Sequence, residues 1–365
     1  MAYSLSMVRK VLAWAQLNER HLGALVFVFG FITDIITFVF LDISLVNLVF
    51  AVYLSLAAAA ILLFHILTRE TKRPSVMRRT GIVLLPLVAQ YLIGNMLSGF
   101  LIFYTKSSVL SVSWPFVVLL GLVFLGNEWF RTYKDRLIFL ATLLFFTTYA
   151  YAIFALPLFV HSLGPWVFLG STVLSTAAFS VFLYLLWKTG KERLAGSFIP
   201  IIGSCLAILI VMVTSYFTGL VPPIPLTLKE GGIYHGLSHQ GDRYVLLAER
   251  ERVWWDLGPQ EVRTAPGETL YAYTAVFAPV RFGTIVVHKW ERYSEASKRW
   301  VSEGAVSFPI AGGRKDGYRG YSERTNPEAG EWRVSVETPN GQVIGQIRFS
   351  VEAVAQVPPL REQVH

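Results

Sequence analysis

Charge is scarce in this chain. Asp, Glu, Lys and Arg make up 15% of its 365 residues, where a soluble domain carries about a quarter. That shortage excludes an ordinary water-soluble enzyme, and a 54% hydrophobic content excludes a disordered chain. There is a single cysteine, Cys205, so no disulfide can form within the chain. Cys205 sits in an apolar run and reads as packing. The sequence also lacks a P-loop, a His-Glu-x-x-His zinc motif, a nucleophile elbow and an Asn-x-Ser/Thr acceptor. No cofactor, no metal and no catalytic residue is predicted.

The remaining charge is unevenly placed. Residues 1–220 hold 15 Lys+Arg against 7 Asp+Glu, whereas residues 221–365 hold 17 of each. The whole net charge of +8 therefore belongs to the first part. That excess points to membrane insertion and not to nucleic acid as a partner.

What the first part has in abundance is long apolar runs. A helix needs about 20 apolar residues to cross a bilayer core. Seven stretches qualify: Leu22–Leu41, Ser44–Ile66, Ile82–Tyr104, Val109–Asn127, Leu137–Pro157, Trp166–Trp187 and Phe198–Leu220. Alternate connections are basic. Arg9, Lys10 and Arg20; Arg69, Lys72, Arg73, Arg78 and Arg79; Arg131, Lys134 and Arg136; and Lys188, Lys191 and Arg193 stand against Lys106 alone, 14 to 1. The bias predicts a cytoplasmic N-terminus and, after seven crossings, an extracytoplasmic C-terminal region, which in a bacterium is the periplasm or cell exterior. Tyr104, Trp114, Trp166 and Tyr216 are expected at the outer interface, and Trp14, Trp129, Tyr133 and Trp187 at the inner one. Residues 1–21 read as a lead-in resting on the inner surface.

Residues 221–242 read as a juxtamembrane linker opened by Val221-Pro222-Pro223-Ile224-Pro225. His235 and His239, with Asp242 nearby, have ligand-type spacing. Gly236 and Gly241 argue against the helix that would align them, so they are read as exposed loop histidines. From residue 243 to about 355 the pattern has period two, with a tail at 356–365. Strands are predicted at Arg243–Glu249, Thr269–Phe277, Phe282–Tyr293, Trp300–Ile310, Tyr318–Arg324, Glu331–Thr338 and Gln342–Glu352. Asn340-Gly341 marks a two-residue hairpin turn that sets Trp332 opposite Phe349, Val334 opposite Ile347 and Val336 opposite Gly345. The fold class is thus a seven-span helical membrane bundle followed by an all-β, immunoglobulin-like antiparallel sandwich.

Several elements in this region carry a resemblance. His288-Lys289-Trp290, Arg319-Gly320-Tyr321-Ser322, Gly330-Glu331-Trp332-Arg333-Val334-Ser335-Val336, Gly341 and Phe349-Ser350-Val351 resemble the domain-of-unknown-function family numbered 2914 over roughly residues 260–353. The resemblance implies a bacterial, extracytoplasmic domain and supplies no activity, substrate or catalytic residue.

Two groups of residues are candidate sites. In the β region, Trp290 as a platform and His288 as a hydrogen-bond partner share a strand face, with Arg319 and Ser322 suited to grip an anion. The alternative is that Trp290 is core, that His288 is an edge residue satisfied by a backbone carbonyl, and that Arg319 pins the strand to Glu323 or Glu331. In the bundle, Asp34 is an acid well inside a span, and depth counting puts Tyr53, Asn95 and Tyr149 or Tyr151 at its level. The expected function is a membrane-anchored sandwich that binds an envelope component or a periplasmic protein, with membrane lipids as the bundle's partners. The alternative is a transporter or lipid-modifying enzyme that works through the Asp34 layer.

Overall fold

The computed structural model describes residue 34 and residues 43–68, 75–107, 114–115, 118–122, 133–221, 226–241, 243–249, 258–278, 283–311 and 316–364. Its long helices are α1 (Ile43–Leu67), α2 (Val76–Ser107), α3 (Tyr133–Val160) and α4 (Pro165–Phe217). Within them, five segments are long and apolar enough to cross a membrane: Ser44–Leu67, Thr80–Tyr104, Leu137–Val160, Pro165–Glu192 and Leu194–Phe217. These mark a membrane protein. The stretches expected at Leu22–Leu41 and Val109–Asn127 lie outside the described residues, apart from Asp34, 114–115 and 118–122, and the lead-in lies wholly outside them.

α3 is the middle of the bundle. Its apolar window is 78% buried, against 22–35% in the other four segments, and it packs on α1, α2 and α4. Phe154 of α3 meets Phe50 of α1 and Phe100 and Phe103 of α2. The outward stripe of α1, Leu45, Leu48, Val52, Leu56 and Leu63, is exposed at helical spacing, as a lipid-facing surface would be. The basic connection predicted after Trp187 is a tight one: α4 consists of two helices that meet at a break at Gly190 (φ −171°, ψ 60°), and the chain folds back there, so that Phe168 near its start meets Tyr216 near its end. Tyr104 and Tyr216, expected near the outer ends of their spans, face inward. Both are buried in the bundle, Tyr216 stacked on Phe168 with ring centroids 3.8 Å apart.

The β region holds β1 (Thr227–Tyr234), β2 (Gly236–Gln240), β3 (Arg243–Ala248), β4 (Gln260–Thr264), β5 (Thr269–Phe277), β6 (Gly283–Ser294), β7 (Arg299–Ala311), β8 (Tyr318–Thr325), β9 (Gly330–Glu337), β10 (Val343–Ala353) and β11 (Arg361–Val364). They form sheets ordered β1-β5-β8, β4-β10-β9-β6-β7 and β11-β3-β2. The seven predicted strands are all present. β1 and β2 lie in the stretch read as linker, β11 in the stretch read as tail, and β4 was not foreseen. The pairing is antiparallel except for β4 on β10, which is parallel. The first two sheets enclose a shared core of Ile233, Leu270 and Ala272 from one side and Trp290, Trp332, Val334, Ile347 and Phe349 from the other.

The β9–β10 register is the one predicted: Trp332 faces Phe349, Val334 faces Ile347 and Val336 faces Gly345. The turn that sets it is different. Thr338 N donates to Gln342 O and Gly341 N to Thr338 O, so the loop has three residues, and only Gly341 has positive φ (78°). Pro339, with its fixed negative φ, occupies the position a type I turn favours, and glycine supplies the left-handed residue after it. The extra loop residue shifts the pairing by one, and a bulge between Val343 and Gly345 shifts it back. Two deviations cancel, which is why a wrong turn type still yields the right inner pairs.

The two parts of the molecule touch. Leu163, in the connection between α3 and α4, packs against a sandwich cluster of Leu226, Val276, Ala278, Val286, Ile310, Val336 and Ile344. Gln342 Nε2 donates to the Val221 carbonyl at the exit of α4 (3.3 Å). Gly164 (φ 141°) and Gly219 (φ 73°) lie against Asn340 and Gly341 of the hairpin tip. The sandwich is thus seated on the end of the bundle where α3, α4 and the α4 exit meet.

Trp332 is 1% exposed, stacks on Phe349, and donates its indole N–H to Glu328 O (2.8 Å). Truncation there removes a filled core volume. Trp332→Ala should destabilise the sandwich by about 3–5 kcal/mol, read as a fall in the melting temperature of the detergent-solubilised chain. An unchanged melting temperature would mean that the two-sheet core is not built around this ring.

Candidate functional site

Parity along the strands decides how the predicted β-region residues sort. On β6, Val286, His288 and Trp290 point inward and are buried. On β8, Ser322 is inward, but Arg319 lies three residues away and so faces the opposite side of its sheet. Arg319 lies beside Tyr273 on the outer face of the β1-β5-β8 sheet. The four residues proposed together therefore divide into a buried trio and an outer arginine.

The trio is linked through one residue the sequence pattern did not single out. His288 Nε2 is 2.8 Å from Thr274 Oγ1 and His288 Nδ1 is 2.9 Å from Ser322 Oγ. Trp290 Nε1 donates to that same Ser322 Oγ at 3.0 Å, and Thr274 Oγ1 reaches Gly320 O at 3.5 Å. The donors dictate the order. Thr274 gives its one hydroxyl proton to the Gly320 carbonyl, so it must accept the ring hydrogen from His288 Nε2. Nδ1 is then the acceptor and takes the Ser322 proton, while Ser322 Oγ accepts the indole N–H of Trp290. The chain of bonds crosses from β6 to β5 and β8 and so ties the two sheets together. His288 is neither a surface ligand partner nor an edge residue satisfied by a carbonyl. β6 has neighbours on both sides, and two hydroxyls hold the ring. A serine beside an imidazole resembles the start of a nucleophilic pair, but Ser322 is 4% exposed, His288 0%, and the serine oxygen is already engaged. Thr274 was legible in principle: it is the polar residue in the inward series Leu270, Ala272, Thr274, Val276.

Other polar groups gather elsewhere on the sandwich. His235 is not an exposed loop histidine. Its Nδ1 faces Glu268 (2.8 Å) and its Nε2 faces Glu249 (3.1 Å), and Glu249 also bonds Arg263. The two carboxylates sit on opposite sides of the ring and do not converge on a common point. His239 packs on the Tyr244 ring instead, and Asp242 lies outside the described residues. Among the described residues no cluster of three or more His, Cys, Asp and Glu is placed to hold a metal ion. On the outer face of the larger sheet, burial works against the charge of Glu291, but the hydrogen bond and charge of Arg333, with Lys289, hold it below the ordinary carboxylate range. Burial pushes the Tyr273 hydroxyl up to about 12.

In the bundle, the residues counted to one depth do not share one contact. The Ser98 hydroxyl is close enough to the Asp34 carboxyl to interact with it, yet outside normal hydrogen-bond geometry. Tyr53 senses both Asp34 and Tyr91. Asn95 donates to the Tyr91 carbonyl one turn back on its own helix (2.8 Å). Tyr149 bonds Thr172 of α4 at 2.7 Å, and Tyr151 reaches Asn47 O of α1 at 3.3 Å. Residues two apart on a helix point to different sides, so the tyrosines serve different neighbours.

Residues 283–351 match the family model described as "Protein of unknown function (DUF2914)". The matched segment runs from β6 into β10 and contains His288, Trp290 and Ser322, three of the four members of the bond chain. No curated protein matches the chain. Among solved structures, a β-glucosidase from Listeria innocua in complex with gluconolactone is 13% identical, with 35% of this chain and 16% of that one covered and a TM-score of 0.20. An immunoglobulin-like protein from Pseudomonas aeruginosa is 12% identical over 35% of this chain and 96% of its own, with a TM-score of 0.19. A Pseudomonas fluorescens alkylpurine DNA glycosylase bound to DNA is 10% identical over 84% and 97%, with a TM-score of 0.22. At these scores none of the likenesses bears on function.

The bond chain has a pH signature. Burial lowers the His288 pKa from 6.5 to about 4. The unfolded ring takes up a proton below about pH 6.5 and the folded ring does not, so the stability tied to this neutral ring is complete above 6.5 and drains away as the pH falls toward 4. The loss should reach about 3 kcal/mol. His288→Gln keeps a hydrogen-bonding side chain without titrating. Melting temperature against pH should therefore fall more steeply in the wild type than in the variant across that window. Parallel curves would show that the ring is not held neutral.

Proposed function

We propose that this protein is a bacterial inner-membrane protein with a cytoplasmic N-terminus. In this reading a seven-span bundle holds an immunoglobulin-like sandwich outside the cytoplasm, where the sandwich binds an envelope component or a partner protein. The observation that carries the proposal is the separation of the basic residues from the sandwich. The sandwich rests on Leu163 and on Val221 at the α4 exit. Lys188 and Lys191 flank the break at Gly190, more than twenty helical residues from either contact, or roughly 40 Å along the helix. Arg78 lies likewise at the far end of α1, donating to the Leu67 carbonyl (2.7 Å). Basic residues gather on the cytoplasmic side of membrane proteins, so the sandwich belongs on the other side. With the bond chain sealed, binding falls to the sandwich surface and not to His288 or Ser322.

A second reading makes the bundle a transporter or lipid-modifying enzyme acting through Asp34. The neighbourhood of that carboxyl, Ser98 and Tyr53, favours it. The dispersal of Asn95, Tyr149 and Tyr151 to separate partners weighs against a single polar centre, and the anchored-binder reading is preferred.

A reporter that works only outside the cytoplasm should be active when fused after His365, and one that works only inside should be active in the Arg69–Arg79 connection. The reverse pattern would refute the orientation.

A further inference from the structure

The sandwich carries a groove of about 530 Å³, within the range of small-ligand sites. Arg292, Tyr293, Glu295, Gly330, Glu331 and Ser350 line it. Its position follows from the strands. β9 starts at Gly330 and ends at the hairpin whose tip touches the bundle. Eight residues of strand put the groove roughly 25 Å from that tip, at the end of the sandwich that faces away from the membrane, open to a large polymer.

Its walls are fixed before any ligand arrives. The Tyr293 ring is braced edge-on by Trp300, with centroids 5.4 Å apart. Arg292 is held by Glu328 (2.8 Å) and by Glu303 (3.6 Å). Gly330 has φ 132° and nothing within 4 Å of where a Cβ would stand, so the floor is open there and a side chain would be strained as well as intrusive.

The lining selects among occupants. Charges of both signs and hydroxyls surround one aromatic face, which suits neither a lipid tail nor the apolar side of a helix. Glu295 and Glu331 disfavour a phosphate backbone. A peptide added as an extra strand needs a free sheet edge. β9 and β10 stay paired as far as Gly330 and Val351, and the β6–β9 ladder ends at Arg292 and Trp332, so the edge left open at the groove is only about two residues long on each strand, too short to template an added strand. What remains is recognition by side chains alone: a ring face for apolar C–H surfaces, with carboxylates, a guanidinium and a serine for hydroxyl groups. We infer that this groove binds an oligosaccharide chain of the cell envelope. The inference rests on the reading of the sandwich as the binding part of the molecule and names the place and the chemical class of its ligand.

The test uses the full chain in lipid nanodiscs on an array of bacterial surface polysaccharides and β-1,4-linked aminosugar oligomers, with a photo-crosslinking residue at position 295 in cells as a second arm. Wild type should retain at least one glycan class. Tyr293→Ala and Glu331→Gln should weaken retention at least tenfold with unchanged melting temperature. Tyr321→Ala, on the outer face of the other sheet, should leave it intact. Retention of no glycan, or groove variants that bind like wild type, would overturn the inference. If no glycan binds but position 295 crosslinks to a protein, the glycan assignment fails and the binding role of the sandwich stands. If neither is seen, both fail.

Discussion

The architecture depends on one contact: Leu163, from the short connection between α3 and α4, closing the lower end of the sandwich core. A domain held by a flexible linker would sample many orientations. This one is fixed at three points, by the Leu163 side chain, by Gln342 on the Val221 carbonyl, and by the hairpin tip against Gly164 and Gly219. The two glycines have positive φ, which lets the backbone turn tightly where the hairpin approaches. The central helix of the bundle, α3, leads directly into the loop that carries Leu163, so the best-buried element of the membrane part and the core of the sandwich are joined through four residues.

Above that seat the sandwich is stiffened by polar bonds buried between its sheets. A wholly apolar core would bury as much surface, but it would not fix the relation of β6 to β5 and β8 as strictly. A buried hydroxyl or imidazole without its partner is destabilising by about 1–3 kcal/mol, so the Trp290–Ser322–His288–Thr274 chain tolerates only one arrangement of the facing sheets. The same bonds remove His288 and Ser322 from any role at the surface. Recognition is left to side chains on the outside, and the groove at the far end is built on strands that this core holds rigid.

Much of this was legible from residue patterns, for identifiable reasons. Long apolar runs and period-two alternation are strong signals, and the five described spans and seven expected strands follow from them. The β9–β10 pairs were correct because face alternation over eight residues fixes register even when the turn is misjudged. The Arg319–Ser322 pairing failed on the same rule, since three residues along a strand reverses the face. β1, β2 and β11 were missed because glycines and polar residues dominate them, and their pairing depends on partners distant in sequence. His235 looked exposed because nothing local shows that Glu249 and Glu268 close on it from two other elements. The polar layer was counted by depth alone, which ignores the direction each side chain takes around its helix.

The claim that the sandwich is seated on the bundle is tested most directly by hydrogen exchange at the Thr338–Gln342 hairpin in the full chain, in nanodiscs, with and without Leu163→Asp. The account predicts slow exchange of the Gly341 and Gln342 amides in the wild type and a loss of protection of at least tenfold in the variant, while the amides at the far end of β9 keep theirs. Equal exchange at the hairpin in both proteins would contradict it and leave the sandwich as a tethered, independent domain.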